Sequence, residues 1–173
     1  HRSVPIDSLK YLETTEDYKG EWNDELLKGK KVIRNQILAD DFTANSSKNW
    51  TLTKFNQKLG NIAQVISELG RKYTNDNPVI VGLIEVENRA VIEELLKQPL
   101  LAKSNYGIVH HNSYDARGVD VALIYQNGRF VVTDHYEKEI KVFNDDGYRS
   151  YTRGILVVKG LLDGEKYAFF VNQ

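Results

Sequence analysis

The stretch that most restricts what this chain can fold into runs from Thr53 to Glu85, where the spacing of apolar residues changes period. Phe55, Leu59, Ile62, Ala63, Val65, Ile66 and Leu69 recur at three- and four-residue steps. That spacing predicts an amphipathic helix over 53–73, about five turns long and closed near Gly70, with Thr51 or Thr53 as its N-cap. Asn75-Asp-Asn-Pro78 predicts a turn. The continuous apolar run Val79-Ile-Val-Gly-Leu-Ile84 then reads as a strand buried on both faces. It ends abruptly in the polar group Glu85-Val-Glu-Asn-Arg89, which leads into a second helix reaching about Leu96 and broken at Pro99.

Beyond that point the pattern is one of strands. Tyr106 to His110, Val119 to Tyr125, Arg129 to His135, Gly154 to Lys159 and Lys166 to Val171 all read as strands, the last as one entering a core. Gln126-Asn-Gly128 and Asp163-Gly164 predict hairpin turns. Early helices against a strand, followed by a run of strands, predict an α+β or layered α/β/α architecture. Residues 1–39 carry no such pattern and read as an irregular surface segment.

Composition excludes several classes. A net charge of -1 over 173 residues argues against tight, salt-driven binding to duplex nucleic acid over a broad basic face, and it leaves a nuclease open, because a catalytic cleft needs only a few local cations. The absence of cysteine excludes a disulfide scaffold and a Cys-based zinc site. No run approaches the roughly 20 apolar residues that span a bilayer. Gly-rich phosphate loops, nucleophile elbows and HExxH patterns are also absent from the sequence.

The residues able to carry chemistry fall in three clusters. Glu85 stands at the C-terminal end of a strand, where open sheets place ligands. It has the hard oxygen donors that Mg²⁺ prefers, although Glu85 and Glu87 would equally favour the N-terminus of the next helix. Asn88 and Arg89 suit phosphate oxygens, and they suit an N-cap and a solvated first turn just as well. In the second cluster, His110 and His111 are adjacent on a strand and point to opposite sides, which makes them a poor joint metal site. Arg117-Gly118 ends a loop. Asp120 is a charged residue in an otherwise apolar strand and needs a partner, whether a catalytic His or a structural Arg or hydroxyl. In the third cluster, Arg153 opens a core strand and either meets a phosphate or sits on the rim, and Asn172 closes the last strand.

Taken in order, Ile80-Val-Gly-Leu-Ile-Glu-Val-Glu-Asn-Arg89, Arg117-Gly-Val-Asp-Val-Ala-Leu-Ile-Tyr125, Thr152-Arg-Gly-Ile-Leu-Val-Val-Lys-Gly160 and Phe169-Phe-Val-Asn172 resemble bacterial members of the endonuclease/exonuclease/phosphatase superfamily. Asp40-Asp-Phe42, Asn49-Trp-Thr51 and Lys58 to Ile66 resemble that family's first helix and its approach. The resemblance covers residues 40–173 and implies the N-terminal part of a deoxyribonuclease I-like, four-layered α/β/β/α sandwich, incomplete in this chain. It implies hydrolysis of a phosphoester substrate, nucleic acid among the candidates, with Mg²⁺ as cofactor and Mn²⁺ or Ca²⁺ as substitutes. Glu85, not Glu87, then matches the metal-binding position. Arg117 and Arg153 match phosphate-contacting arginines, with Asn88 and Arg89 beside them. Asp120 matches the carboxylate partner of a catalytic His expected just past Val171 and Asn172, Asn172 joins Asp120 as a candidate catalytic residue, and the family's Asp-x-Asn and Asp-His motifs are expected further on. A catalytically incomplete phosphate-binding module that keeps the fold is the alternative.

Overall fold

The computed structural model describes residues 47–113, 115, 118–150 and 152–172, together with the backbone of two short paired strands, β1 (Ser3–Val4) and β2 (Gln36–Ile37). The expectation for residues 1–39, like the Asp40-Asp-Phe42 approach, otherwise lies outside the described residues.

Helix α1 (Leu52–Glu68) is started by Thr51, whose side-chain oxygen accepts a hydrogen bond from the Lys54 N–H. Leu59, Ala63 and Ile66 form its buried stripe, whereas Val65 and Leu69, counted with that stripe by spacing, lie on the exposed side. Helix α2 (Arg89–Leu96) buries Ile92 and Leu95. Both helices cover one face of a three-stranded antiparallel sheet in the order β3 (Ile80–Val86), β5 (Asp120–Gln126), β4 (Tyr106–His110). A second antiparallel sheet has the order β10 (Glu165–Val171), β9 (Ile155–Leu162), β6 (Phe130–Lys138). A small ladder, β7 (Val142–Phe143) with β8 (Arg149–Ser150), joins β6 to β9.

Strand β5 shows why the two sheets stack. Its side chains alternate, so Ala122 and Ile124 enter the core beneath the helices, with Leu59, Ala63, Ile66, Ile92, Leu95 and Leu101. Val121 and Leu123 point the other way, into a second core with Val109, Phe130, Leu156, Val158 and Val171. Complete burial of an aliphatic or Phe side chain contributes roughly 1.5–3 kcal/mol, so β5 is held from both faces. The described residues thus supply three layers of the expected α/β/β/α sandwich: helices, first sheet, second sheet. None of their helices is long and apolar enough to cross a membrane.

Three local expectations need correction. Among the described residues β3 lies at the edge of its sheet, with intermediate to exposed burial along its length, and is not buried on both faces. β10 is likewise an edge strand, most of it exposed, and among its residues only Val171 is buried. The Asn127-Gly128 turn reverses the chain through an Arg129 N–H to Gln126 C=O bond of 3.0 Å, but it forms no hairpin. Both edges of β5 are already taken by β3 and β4, so the chain crosses to the second sheet and β6 pairs with β9. The backbone agrees, because a two-residue type I′ hairpin needs positive φ at both central residues and neither Asn127 nor Gly128 has it. Asp163 and Gly164 do, at 50° and 94°, and there β9 and β10 form the expected hairpin.

Candidate active site

Six strand ends meet at one rim of the sandwich: the close of β3, β4, β6 and β10 and the approaches to β5 and β9. The alternation that sends Val81 and Leu83 under the helices would send Glu85 there too. A β-bulge prevents it. Ile84 pairs with Val121 and Val86 with Asp120, leaving Glu85 as the extra residue. Its φ is 57°, in the left-handed region that a residue with a β-carbon adopts at a cost. Val86 thereby returns to the helix-side core, and the Glu85 side chain is turned out of the alternation, 52% exposed.

Glu85 faces Arg153, which precedes β9 in the second sheet. Arg153 is 8% exposed, and its Nη1 lies 3.7 Å from Glu85 Oε1 and 3.7 Å from Asp115 Oδ2. Asp115 is 3% exposed. Its N–H donates to Ser113 Oγ at 3.3 Å and its C=O accepts from the Gly118 N–H at 2.9 Å. Gly118 has a φ of 70°, the left-handed conformation that glycine adopts without penalty. Among the described residues Arg153 Nη1 has no hydrogen-bond partner although it is buried.

Behind this group lies a second, deeper one. Asp120 is fully buried. Its Oδ2 is 2.9 Å from His110 Nε2, and its Oδ1 accepts from the Ser113 N–H at 2.9 Å and the Ser113 hydroxyl at 2.8 Å. Since a carboxylate only accepts, His110 carries its proton on Nε2 in this contact. The Ser113 hydroxyl, also 3.0 Å from Val119 C=O, links this group to Asp115. Glu137, at the end of β6, accepts the Gly154 N–H at 2.8 Å. Burial pushes its carboxyl above the usual range, the Gly154 bond opposes that, and the nearby Asp120 carboxylate adds to it. Only glycine fits at 154, because a Cβ there would lie 2.6 Å from Glu137 Cγ and from the Lys138 carbonyl oxygen.

Of the residues singled out from sequence, Glu85 and Arg153 face each other directly, and Asp120 is joined to them through Ser113 and Asp115. Asn88 is the N-cap of α2, its side-chain Oδ1 accepting from the Val91 N–H at 3.1 Å. Arg89 donates through Nε to Glu93 Oε1 at 3.0 Å and through Nη1 to the Ile108 carbonyl at 3.4 Å. Arg117 lies outside the described residues. Asn172 follows Val171, whose methyl groups approach Gly82 three residues before Glu85. His111 diverges from His110 as the strand geometry requires: its Nε2 meets His135 Nδ1 at 2.8 Å, across to the second sheet. Nothing in the sequence pattern marks Ser113, Asp115 or Glu137, and His110 reads from it as a strand end. For His110 a signal did exist, since antiparallel pairing of β4 with β5 sets it opposite Ala122, two residues from Asp120.

With this arrangement in view, the comparison with known families is decisive. Residues 30–173 match the model of the Endonuclease/Exonuclease/phosphatase family. The chain belongs to that family. No curated protein matches it. Family membership carries a hydrolase function of the phosphoester type, and the stacked antiparallel sheets with few helices agree with the deoxyribonuclease I-like fold of the endonuclease/exonuclease/phosphatase proteins.

Proposed function

We propose that this chain forms one side of the cleft of a divalent-metal-dependent phosphoesterase, with Glu85 as a metal ligand. The observation that carries the reading is the bulge: it holds Glu85 in left-handed backbone and turns a half-exposed carboxylate toward a buried arginine at the sheet rim. Strained backbone of this kind persists where the surroundings enforce it and is concentrated at functional sites.

The donor set fits a particular kind of cation. Among the described residues no three or more His, Cys, Asp or Glu side chains are arranged to hold a metal. Glu85 offers hard carboxylate oxygens of the kind Mg²⁺ takes, one or two at a time, alongside several waters and substrate oxygens. A bound Mg²⁺ polarises a phosphoryl oxygen and offsets charge that develops on it.

The chain's own residues supply the rest. Arg153 Nη1, buried and lacking a hydrogen-bond partner among the described residues, is a donor suited to a phosphate oxygen. Arg117 and Arg89 are proposed as further cations for the substrate. Asn88 retains its amide hydrogens for the same purpose while its oxygen caps α2. Asp120 fixes the orientation and proton position of His110, and Asn172 adds a polar group where β10 ends. Phosphoryl transfer depends chiefly on such positioning and charge stabilisation.

The test is hydrolysis by the full-length protein of DNA, bis-p-nitrophenyl phosphate and phospholipid, with and without Mg²⁺. Glu85→Gln is expected to lower kcat/KM by about 100-fold or more. Undiminished, still Mg²⁺-dependent turnover by that variant would refute the role given to Glu85.

A further inference from the structure

One guanidinium here serves two carboxylates in different surroundings. Arg153 Nη1 is 3.7 Å from both Glu85 and Asp115, but Glu85 is 52% exposed and Asp115 3%. Coulomb attraction varies inversely with the local dielectric, so at equal distance the buried partner holds the arginine more firmly. The two carboxylates also reach Arg153 from unrelated pieces of backbone. Glu85 comes from the β3 bulge, and Asp115 from a loop turn closed by Gly118 and tied to Ser113.

We propose that Asp115 is a positioning residue: a buried counter-ion that holds Arg153 back from Glu85, so that Glu85 is able to bind a divalent cation. It acts through Arg153 and does not itself touch the substrate. The inference rests on the reading of Glu85 as a metal ligand and adds a role for a residue that neither the motifs nor the family match singles out. The geometry has a definite consequence. If Asp115 loses its charge, the remaining attraction on Arg153 from this pair is Glu85, and the guanidinium closes on it. A cation must then displace an arginine to reach the carboxylate. A buried guanidinium nitrogen that lacks a hydrogen bond among the described residues and lies equally far from both acids is suited to such a shift.

The test is calorimetric titration of the full-length protein with Mg²⁺, in the absence of substrate, with folding checked by circular dichroism. Asp115→Asn is expected to weaken Mg²⁺ binding roughly tenfold, in line with the loss of one close charge at a partly exposed site. Combining Asp115→Asn with Arg153→Met is expected to bring the affinity back to within about twofold of Arg153→Met alone, because the competing cation is gone. Wild-type affinity in Asp115→Asn overturns the inference. So does a loss that Arg153→Met fails to relieve, since Asp115 would then act by some other route. Should the Asn variant not fold, Asp115→Glu carries the test: it keeps the charge and is expected to bind Mg²⁺ within roughly threefold of wild type, and a tenfold loss would overturn the proposal. Failure of the underlying reading looks different, because Glu85→Gln would then bind Mg²⁺ as the wild type does.

Discussion

Asp120 and Glu85 are close neighbours across the β3–β5 ladder, with Val86 opposite Asp120, yet they are built in opposite ways. Asp120 is fully buried in regular strand, with one oxygen on His110 and the other on Ser113. Glu85 is half exposed in strained backbone beside an arginine that it shares. For Asp120 the cost is desolvation, and hydrogen bonds offset it. For Glu85 the cost lies in the main chain, and no side-chain hydrogen bond repairs a left-handed φ. A carboxylate is thus held rigidly either by its partners, as at Asp120, or by its backbone, as at Glu85, and here the second way leaves the oxygens facing outward.

The largest effect is expected at Asp120. Asp120→Ala leaves the His110 ring and the Ser113 N–H without their buried acceptor, and is expected to destabilise the fold by about 3–5 kcal/mol in urea denaturation. A loss under about 1 kcal/mol would mean that the buried network contributes little. Glu85→Gly should act in the opposite direction. Glycine adopts a φ of 57° without strain, so stability is expected to rise by about 1 kcal/mol while Mg²⁺ binding is lost. A destabilised Glu85→Gly protein would show that the Glu85 side chain, not its backbone, holds the bulge.

The smallest effect concerns Glu137, which stands between the two cases. Its carboxyl is raised chiefly by burial, so the folded protein keeps that proton at pH values where the unfolded chain has released it. Stability on this account falls as pH rises through the interval from the ordinary glutamate value, about 4.3, up to the raised folded value. Glu137→Gln has no proton to lose and can still accept the Gly154 N–H. Its melting temperature is expected to exceed that of the wild type above about pH 7 and to converge with it below about pH 4. Parallel melting curves at both extremes would remove Glu137 from the electrostatics of the rim.

The helices and most strands were legible because local periodicity records which face is buried. Legibility ended where burial depends on distant neighbours. The apolar run before Glu85 and the one before Asn172 look alike on paper, yet both are edge strands, and Phe170 is 68% exposed. Asn127-Gly128 and Asp163-Gly164 are equally good hairpin signals. Only the second closes a hairpin, because the availability of a strand edge, not the dipeptide, decides the pairing. The site divided in the same way. Glu85 and Arg153 stand at strand ends, where local pattern points. His110 comes within reach only through the β4–β5 register, Asp115 through a loop turn tied to Ser113, and Glu137 through the packing of one sheet on the other.

The left-handed residue at the β3 bulge also bears on how this position tolerates change. Among acidic side chains, aspartate is the more comfortable in left-handed backbone, and it would leave the same charge at the rim. Glutamate is the less natural occupant, and what it adds is one methylene of reach across the gap between the sheets. A designer transplanting this rim onto another scaffold should therefore copy the span first and choose the turn chemistry to suit it.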